Sequence, residues 1–197
     1  QRQMCIRDSD NIISFENIIS DLKQNIPIQY ILGEAHFYDL KFKVNSSTLI
    51  PRGETEELVQ YILLHDFISV LEIGTGSGCI AVSIAKNSNA KITAIDNSIG
   101  ALEIAKSNAV LNSVEINFQL RDVFNFSEIK KYDLIVSNPP YVLDSEKKLM
   151  DKNVLDYEPH NALFVSDDDP LAYYKEIAKI ATNNLNKNGL LFFEINE

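Results

Sequence analysis

From residue 68 onward, short apolar runs alternate with longer stretches whose apolar positions recur at helical spacing. The runs predict strands near 68–73, 91–96, 115–120, 132–137 and 189–195, and the stretches between them predict helices near 78–87, 98–112 and 170–187. Strands separated by helices call for parallel pairing through crossovers, so the pattern predicts a doubly wound α/β sheet. In such a sheet, ligands bind at the carboxyl ends of the strands. Upstream, Ile12, Ile13, Phe15, Ile18, Ile19 and Leu22 lie on one helical face within residues 10–24. Residues 34–50 read as a β-hairpin and residues 54–65 as a helix. Residues 1–9, QRQMCIRDS, lack periodicity and read as foreign to the rest of the chain. No internal repeat is present.

Candidate chemistry concentrates at two strand ends. The run Tyr132–Ser137 is followed by Asn138-Pro139-Pro140-Tyr141. Proline fixes φ and has no N–H to donate, and it pushes the preceding residue out of the helical region. Backbone carbonyls around the prolines are therefore left to accept hydrogen bonds. Asn138 adds a side-chain carbonyl, and Tyr141 adds a flat face. Such a notch suits a planar –NH2 group held by its two hydrogens, although a tight turn ending a strand uses the same residues.

The strand Val70–Ile73 runs into Gly74-Thr75-Gly76-Ser77-Gly78 and then a helix. Glycines at alternate positions let the backbone turn sharply and approach a ligand, with free N–H groups at the helix start. A purely structural βα turn remains the alternative. The next strand ends on Asp96, whose carboxylate can accept two hydrogen bonds from a ribose diol or cap the following helix. Glu54 and Glu56 either line a pocket or complement a helix dipole.

Composition narrows the partners. The net charge of −10 makes bare nucleic acid a poor partner, since affinity there comes mainly from Lys and Arg on phosphates. No apolar run is long enough for a transmembrane helix and no secretory leader is apparent, so no membrane partner is expected. Cys5 and Cys79 suggest no disulfide framework, and Cys79 reads as a small buried side chain; a reducing cytoplasm is expected. His36, His65 and His160 have no metal-ligand spacing, so no metal is expected. Asp167-Asp168-Asp169 reads as a solvated loop and helix N-cap, and Phe37-Tyr38 as hairpin packing.

The Gly-x-Gly-x-Gly spacing resembles that of S-adenosylmethionine-dependent methyltransferases, and those with Asn-Pro-Pro-Tyr act on exocyclic amines or amides. The segment PIQYILGEAHFYDLKFKVNSSTLIPRGETEELV (27–59) resembles the segment joining the two domains of the release-factor glutamine methyltransferases. Within Ile50-Pro51-Arg52-Gly53-Glu54-Thr55-Glu56, Gly53 stands where that family usually has proline. Tyr157-Glu158-Pro159-His160-Asn161-Ala162-Leu163 and Phe193-Glu194-Ile195 resemble two further family motifs. The resemblance covers about residues 26–197.

The resemblance implies a Rossmann-like class I sheet and a definite set of roles. Gly74, Thr75, Gly76, Ser77 and Gly78 would line the S-adenosylmethionine site, and Asp96 would bind its ribose. Asp122 and Val123 would flank the adenine. Asn138 would contact both the reactive end of the cofactor and the substrate; Pro139, Pro140 and Tyr141 would complete the amide site, with Asn138, Pro139 and Tyr141 the catalytic set. The substrate would be the glutamine of the Gly-Gly-Gln loop in peptide-chain release factors, and the product S-adenosylhomocysteine. No strong general base is evident near the notch. The implied division is a leader (1–9), a remnant of a helical N-terminal domain (10–33), a hairpin linker (34–53) and a catalytic domain (54–197) incomplete at its end. An open sheet edge would favour self-association. The competing functions are methylation of an exocyclic base amine in rRNA or DNA, and a cofactor-binding fragment without turnover.

Overall fold

The computed structural model describes residues 15–195. A five-stranded, all-parallel sheet forms the centre: β3 (Ser69–Ile73), β4 (Lys91–Asp96), β5 (Asn117–Leu120), β6 (Tyr132–Ser137) and β9 (Leu185–Phe193), in the order β5-β4-β3-β6-β9. The chain begins the sheet in the middle and winds outward both ways. The doubly wound α/β expectation therefore holds.

Strand side chains alternate between two cores, as the pleat requires. Val70, Ile92, Ala94, Leu134 and Val136 pack with Val59 and Ile62 of α3 (Gly53–Ile62), with Ile80, Ala81 and Ile84 of α4 (Cys79–Asn87) and with Ala109 of α5 (Ile99–Leu111). Leu71, Ile73, Ile95, Tyr132 and Ile135 pack on the other face against Ile177, Ile180 and Ala181 of α8 (Ala172–Asn184). Burial on both faces explains why the strands are near-continuous apolar runs.

Before the sheet lie α1 (Phe15–Lys23), α2 (Ile28–Leu32) and the antiparallel hairpin β1 (Glu34–Phe37) and β2 (Leu40–Lys43). The hairpin is shorter than expected; past Val44, whose N–H donates to Gly33 O at 3.1 Å, residues 45–52 run on outside either strand. Tyr38 and Asp39 have φ of 48° and 58°, the two-residue turn that matches strand twist. Glu56 holds this turn by accepting from Tyr38 N at 2.9 Å. Phe37 and Phe42 anchor the hairpin in the α3/α4 core.

Asn108 of α5 joins this hairpin to the glycine turn. Its Oδ1 accepts from Lys43 N at 2.7 Å, and its Nδ2 donates to Lys43 O and Ser77 O, both at 2.9 Å.

Between β6 and α8 the chain makes a long excursion containing β7 (Val142–Leu143), α6 (Lys152–Leu155), α7 (His160–Leu163) and β8 (Phe164–Val165). The parallel β7/β8 pair was not expected from sequence. Of the acidic run, Asp169 pairs with Lys175 at 2.7 Å and Asp167 accepts from Ser145 Oγ at 2.7 Å. The expected cap is absent: Leu171 occupies the N-cap of α8 without a side-chain bond. β9 starts earlier than the apolar run indicates, because a register shift opposite Tyr132 and Leu134 absorbs Asn188 (φ 65°) and Gly189. The proposed leader and Cys5 lie outside the described residues, as do positions 10–14 of the first expected helix. Among the described residues, no helix is long and apolar enough to cross a membrane.

Candidate active site

The glycine turn takes its shape from bonds to the neighbouring strand. Gly74 N and Thr75 N both donate to Ile95 O, at 2.9 and 3.0 Å, and Gly78 N donates to Thr75 O at 2.7 Å. Gly74 and Gly76 sit at φ of 76° and 54°, and a Cβ on either would meet nothing within 4 Å. Their open sides face a cleft, and backbone conformation rather than crowding demands glycine there. Gly78 differs: with φ 80°, its Cβ would come to 3.1 Å from Ala105 Cβ, so it serves the close approach of α4 and α5.

Asp96 pins the turn. Its Oδ2 accepts from Gly76 N at 2.8 Å and its Oδ1 from Ser98 N at 2.9 Å. The helix cap is Ser98 instead, accepting from Ala101 N at 3.2 Å. Burial raises the Asp96 carboxyl above the ordinary carboxylate range, against the opposing hydrogen bonds. Each oxygen keeps acceptor capacity toward the cleft.

Glu72 is the residue that sequence reasoning missed here, although a carboxylate inside Val70-Leu71-Glu72-Ile73 is itself a signal. It is buried and accepts from Thr75 Oγ1. Burial pushes its carboxyl up to about 8, with the Asp96 charge adding and the Thr75 bond opposing. Between about 4.5 and 8 the folded protein therefore holds a proton that the unfolded chain has released. Stability contributed at this site is lost as pH rises through that window. Glu72→Gln keeps the acceptor for Thr75 and removes the titration. Its melting temperature should match the unsubstituted protein's near pH 4.5 and exceed it at pH 8. A difference between the two proteins that does not change with pH would refute this.

The second feature lies at the end of β6. Ser137 Oγ donates to Ile73 O at 2.7 Å, locking this strand end to the glycine-turn strand. Asn138, Pro139 and Pro140 then enter the same cleft as Gly74–Ser77. Asn138 Nδ2 donates to Thr55 Oγ1 at 3.5 Å. Leu49–Arg52 form the facing wall, and buried Glu158 clasps it, accepting from Ile50 N at 3.0 Å and pairing with Arg52 at 2.5 Å. Tyr173 and Ile177 of α8 and Asn161 and Ala162 complete the cleft, which is open to solvent.

Thus the fold gathers Gly74, Thr75, Gly76, Ser77, Asp96, Val123, Asn138, Pro139 and Pro140 around one cleft. Gly78 stands behind the turn, and Tyr141 is half-buried beside the walls, near the charges of Glu194, Arg52 and Glu54. Asp122 does not line the cleft; its carboxylate accepts from Phe124 N at 3.0 Å and caps the turn that presents Val123. Cys79, expected to be buried, is half-buried and lines the cleft. Of the acidic pair before α3, Glu56 serves the hairpin and Glu54 is exposed, whereas Thr55 between them lines the cleft. A carboxylate does stand at the notch after all: β9 brings Glu194 beside it, a position invisible from local sequence.

Residues 50–157 match the family model described as the methyltransferase small domain, which spans both features. The chain is 50% identical to the release factor glutamine methyltransferase of Flavobacterium psychrophilum, covering 96% of this chain and 70% of that protein. It is 49% identical to the one from Bacteroides thetaiotaomicron, covering 92% and 67%. The chain belongs to the release factor glutamine methyltransferase family. Among solved structures, a methyltransferase from Pyrococcus furiosus superimposes with a TM-score of 0.59 at 19% identity, over 91% of this chain and 78% of that one. That likeness extends the family's class I methyltransferase fold to this chain.

Proposed function

We propose that this chain transfers the methyl group of S-adenosylmethionine to the side-chain amide nitrogen of the glutamine in the Gly-Gly-Gln loop of peptide-chain release factors. The observation that carries the reading is the opening of the Asn138-Pro139-Pro140 notch into the cleft of the glycine turn. The residues present fit the cofactor. The turn exposes backbone at Gly74 and Gly76 to an open cradle, and Ser77 Oγ is buried without a hydrogen-bond partner among the described residues. Asp96 would hold the ribose, and Val123 one face of the adenine. Asp96 places a carboxylate in the cleft, suited to a cationic ligand.

The bound cofactor supplies a methyl group already activated on a sulfonium. What remains for the protein is positioning and polarisation. An amide nitrogen is a poor nucleophile because its lone pair is delocalised into the carbonyl. Acceptors at Asn138 Oδ1 and Pro139 O would hold both amide hydrogens, aim the nitrogen and enrich its electron density. Alignment of this kind is worth several kcal/mol. The same acceptors repel a carboxylate, so glutamate should not replace glutamine. Tyr141 would pack against the amide plane.

The test is transfer of labelled methyl from S-adenosylmethionine to an intact release factor, to the same factor with the loop glutamine replaced, and to total RNA. Label on the first alone is the expected outcome. Label on RNA would move the reading to a base amine.

A further inference from the structure

Glu194 has no part in the roles assigned above, yet it stands at the notch. Ser137 pairs with Phe193 across β6 and β9, and Glu194 N donates to Ser137 O at 3.1 Å. Glu194 is therefore seated beside Asn138 at the carboxyl rim of the sheet. Its Oε2 is buried and has no hydrogen-bond partner among the described residues. A buried carboxylate oxygen left without a donor costs free energy and calls for an explanation.

The surroundings supply one. The side chains of Thr55 and Asn138 face the Glu194 carboxylate and favour its charged form, although neither forms a close hydrogen bond to Oε2. Asn138 Nδ2 in turn lies 3.5 Å from Thr55 Oγ1. An asparagine amide has two chemically opposite ends, and its neighbours decide which end faces a ligand. An ionised carboxylate only accepts. It attracts the –NH2 end of Asn138 and repels the oxygen, leaving the oxygen for the cleft. The reverse orientation would set the Asn138 –NH2 against the –NH2 of a substrate amide, two donors face to face.

We propose that Glu194 is a positioning residue whose carboxylate holds the Asn138 amide with its oxygen toward the cleft; this rests on reading the notch as an amide clamp. Protonation of Glu194 removes the bias, because a carboxylic acid can donate to the Asn138 oxygen. Burial raises the Glu194 carboxyl, so the change falls above the ordinary carboxylate range. The groups facing it are Arg52 and Glu54 at the entrance to α3, Tyr141 at the notch, Tyr174 of α8 and Cys79 of α4. Arg52 is the cation among them, and it is already paired with Glu158.

Glu194→Gln keeps size and removes the one-sided preference. In the full chain, kcat should fall about 100-fold while affinity for S-adenosylmethionine stays within about threefold, as misplacement of a positioned group predicts. The rate of the unsubstituted protein should rise with pH along an acid limb that Glu194→Gln lacks. A Glu194→Gln enzyme within about twofold of normal kcat would overturn the proposal. A second readout needs no substrate. The Asn138 side-chain –NH2 resonances, identified by their loss in Asn138→Asp, should shift with pH in the unsubstituted protein. Resonances that stay fixed from the carboxylate range up through neutral pH overturn the proposal even if the variant does not fold. Shifting resonances without methyl transfer to any release factor support the orientation and count against the proposed substrate instead.

Discussion

Asn138→Ala should lower turnover by about 10³-fold while leaving the affinity for S-adenosylmethionine within a few-fold, a loss on the scale of removing one preorganised polar group from a reacting centre. The reason is geometric. The cofactor-facing side of the cleft is built from Gly74–Ser77 and Asp96, whose conformation depends on Ile95 O, Gly76 N and Ser98 N, none of which touches Asn138. The strand end that carries Asn138 is locked by Ser137 Oγ on Ile73 O and keeps that bond in the variant. The substitution therefore removes an acceptor without moving its frame. Single-turnover transfer and calorimetric cofactor binding separate the two quantities. Near-normal turnover would sink the role assigned to the notch.

The largest effect on stability is expected at Asn108. Its side chain is fully buried and completes bonds to both backbone groups of Lys43 and to Ser77 O. Asn108→Ala deletes all of them and strands Lys43 N in a part-buried setting. At about 1 kcal/mol per hydrogen bond, plus the penalty for an orphaned donor, the loss is about 4 kcal/mol. For a chain of this size that lowers the melting temperature by about 10 °C. Because Ser77 O belongs to the glycine turn, cofactor affinity should fall as well, which separates this variant from an ordinary core truncation. A melting temperature within about 2 °C of the original would mean that water replaces the lost bonds.

Strand and helix positions were legible because burial on both sheet faces leaves near-continuous apolar runs, as at Leu134-Ile135-Val136. The glycine turn and the Asn-Pro-Pro notch were legible because their chemistry is contiguous in sequence. What escaped was of a different kind. Asn108 lies on a helix where an asparagine reads as surface, and only the hairpin packed over it makes it internal. The Tyr38-Asp39 turn lacks the usual Asn-Gly signal; the Glu56 carboxylate holds it from outside the hairpin. Glu194 reaches Asn138 through parallel strand pairing, which local sequence does not encode. The three aspartates ahead of α8 looked like a cap, but Leu171 takes the position and the acids find Lys175 and Ser145.

The Glu158 clasp also bears on when the cleft comes into being. Its bonds to Ile50 and Arg52 close loops of 108 and 106 residues. Contacts so distant along the chain are made late, after the local strand–helix units whose burial repays the cost of ordering. On a ribosome, the wall at Leu49–Arg52 lacks the Glu158 clasp until residue 158 has left the exit tunnel. A nascent chain would thus possess its glycine turn and its notch before it possesses a complete cleft, and tight cofactor capture should mark the end of folding rather than its start.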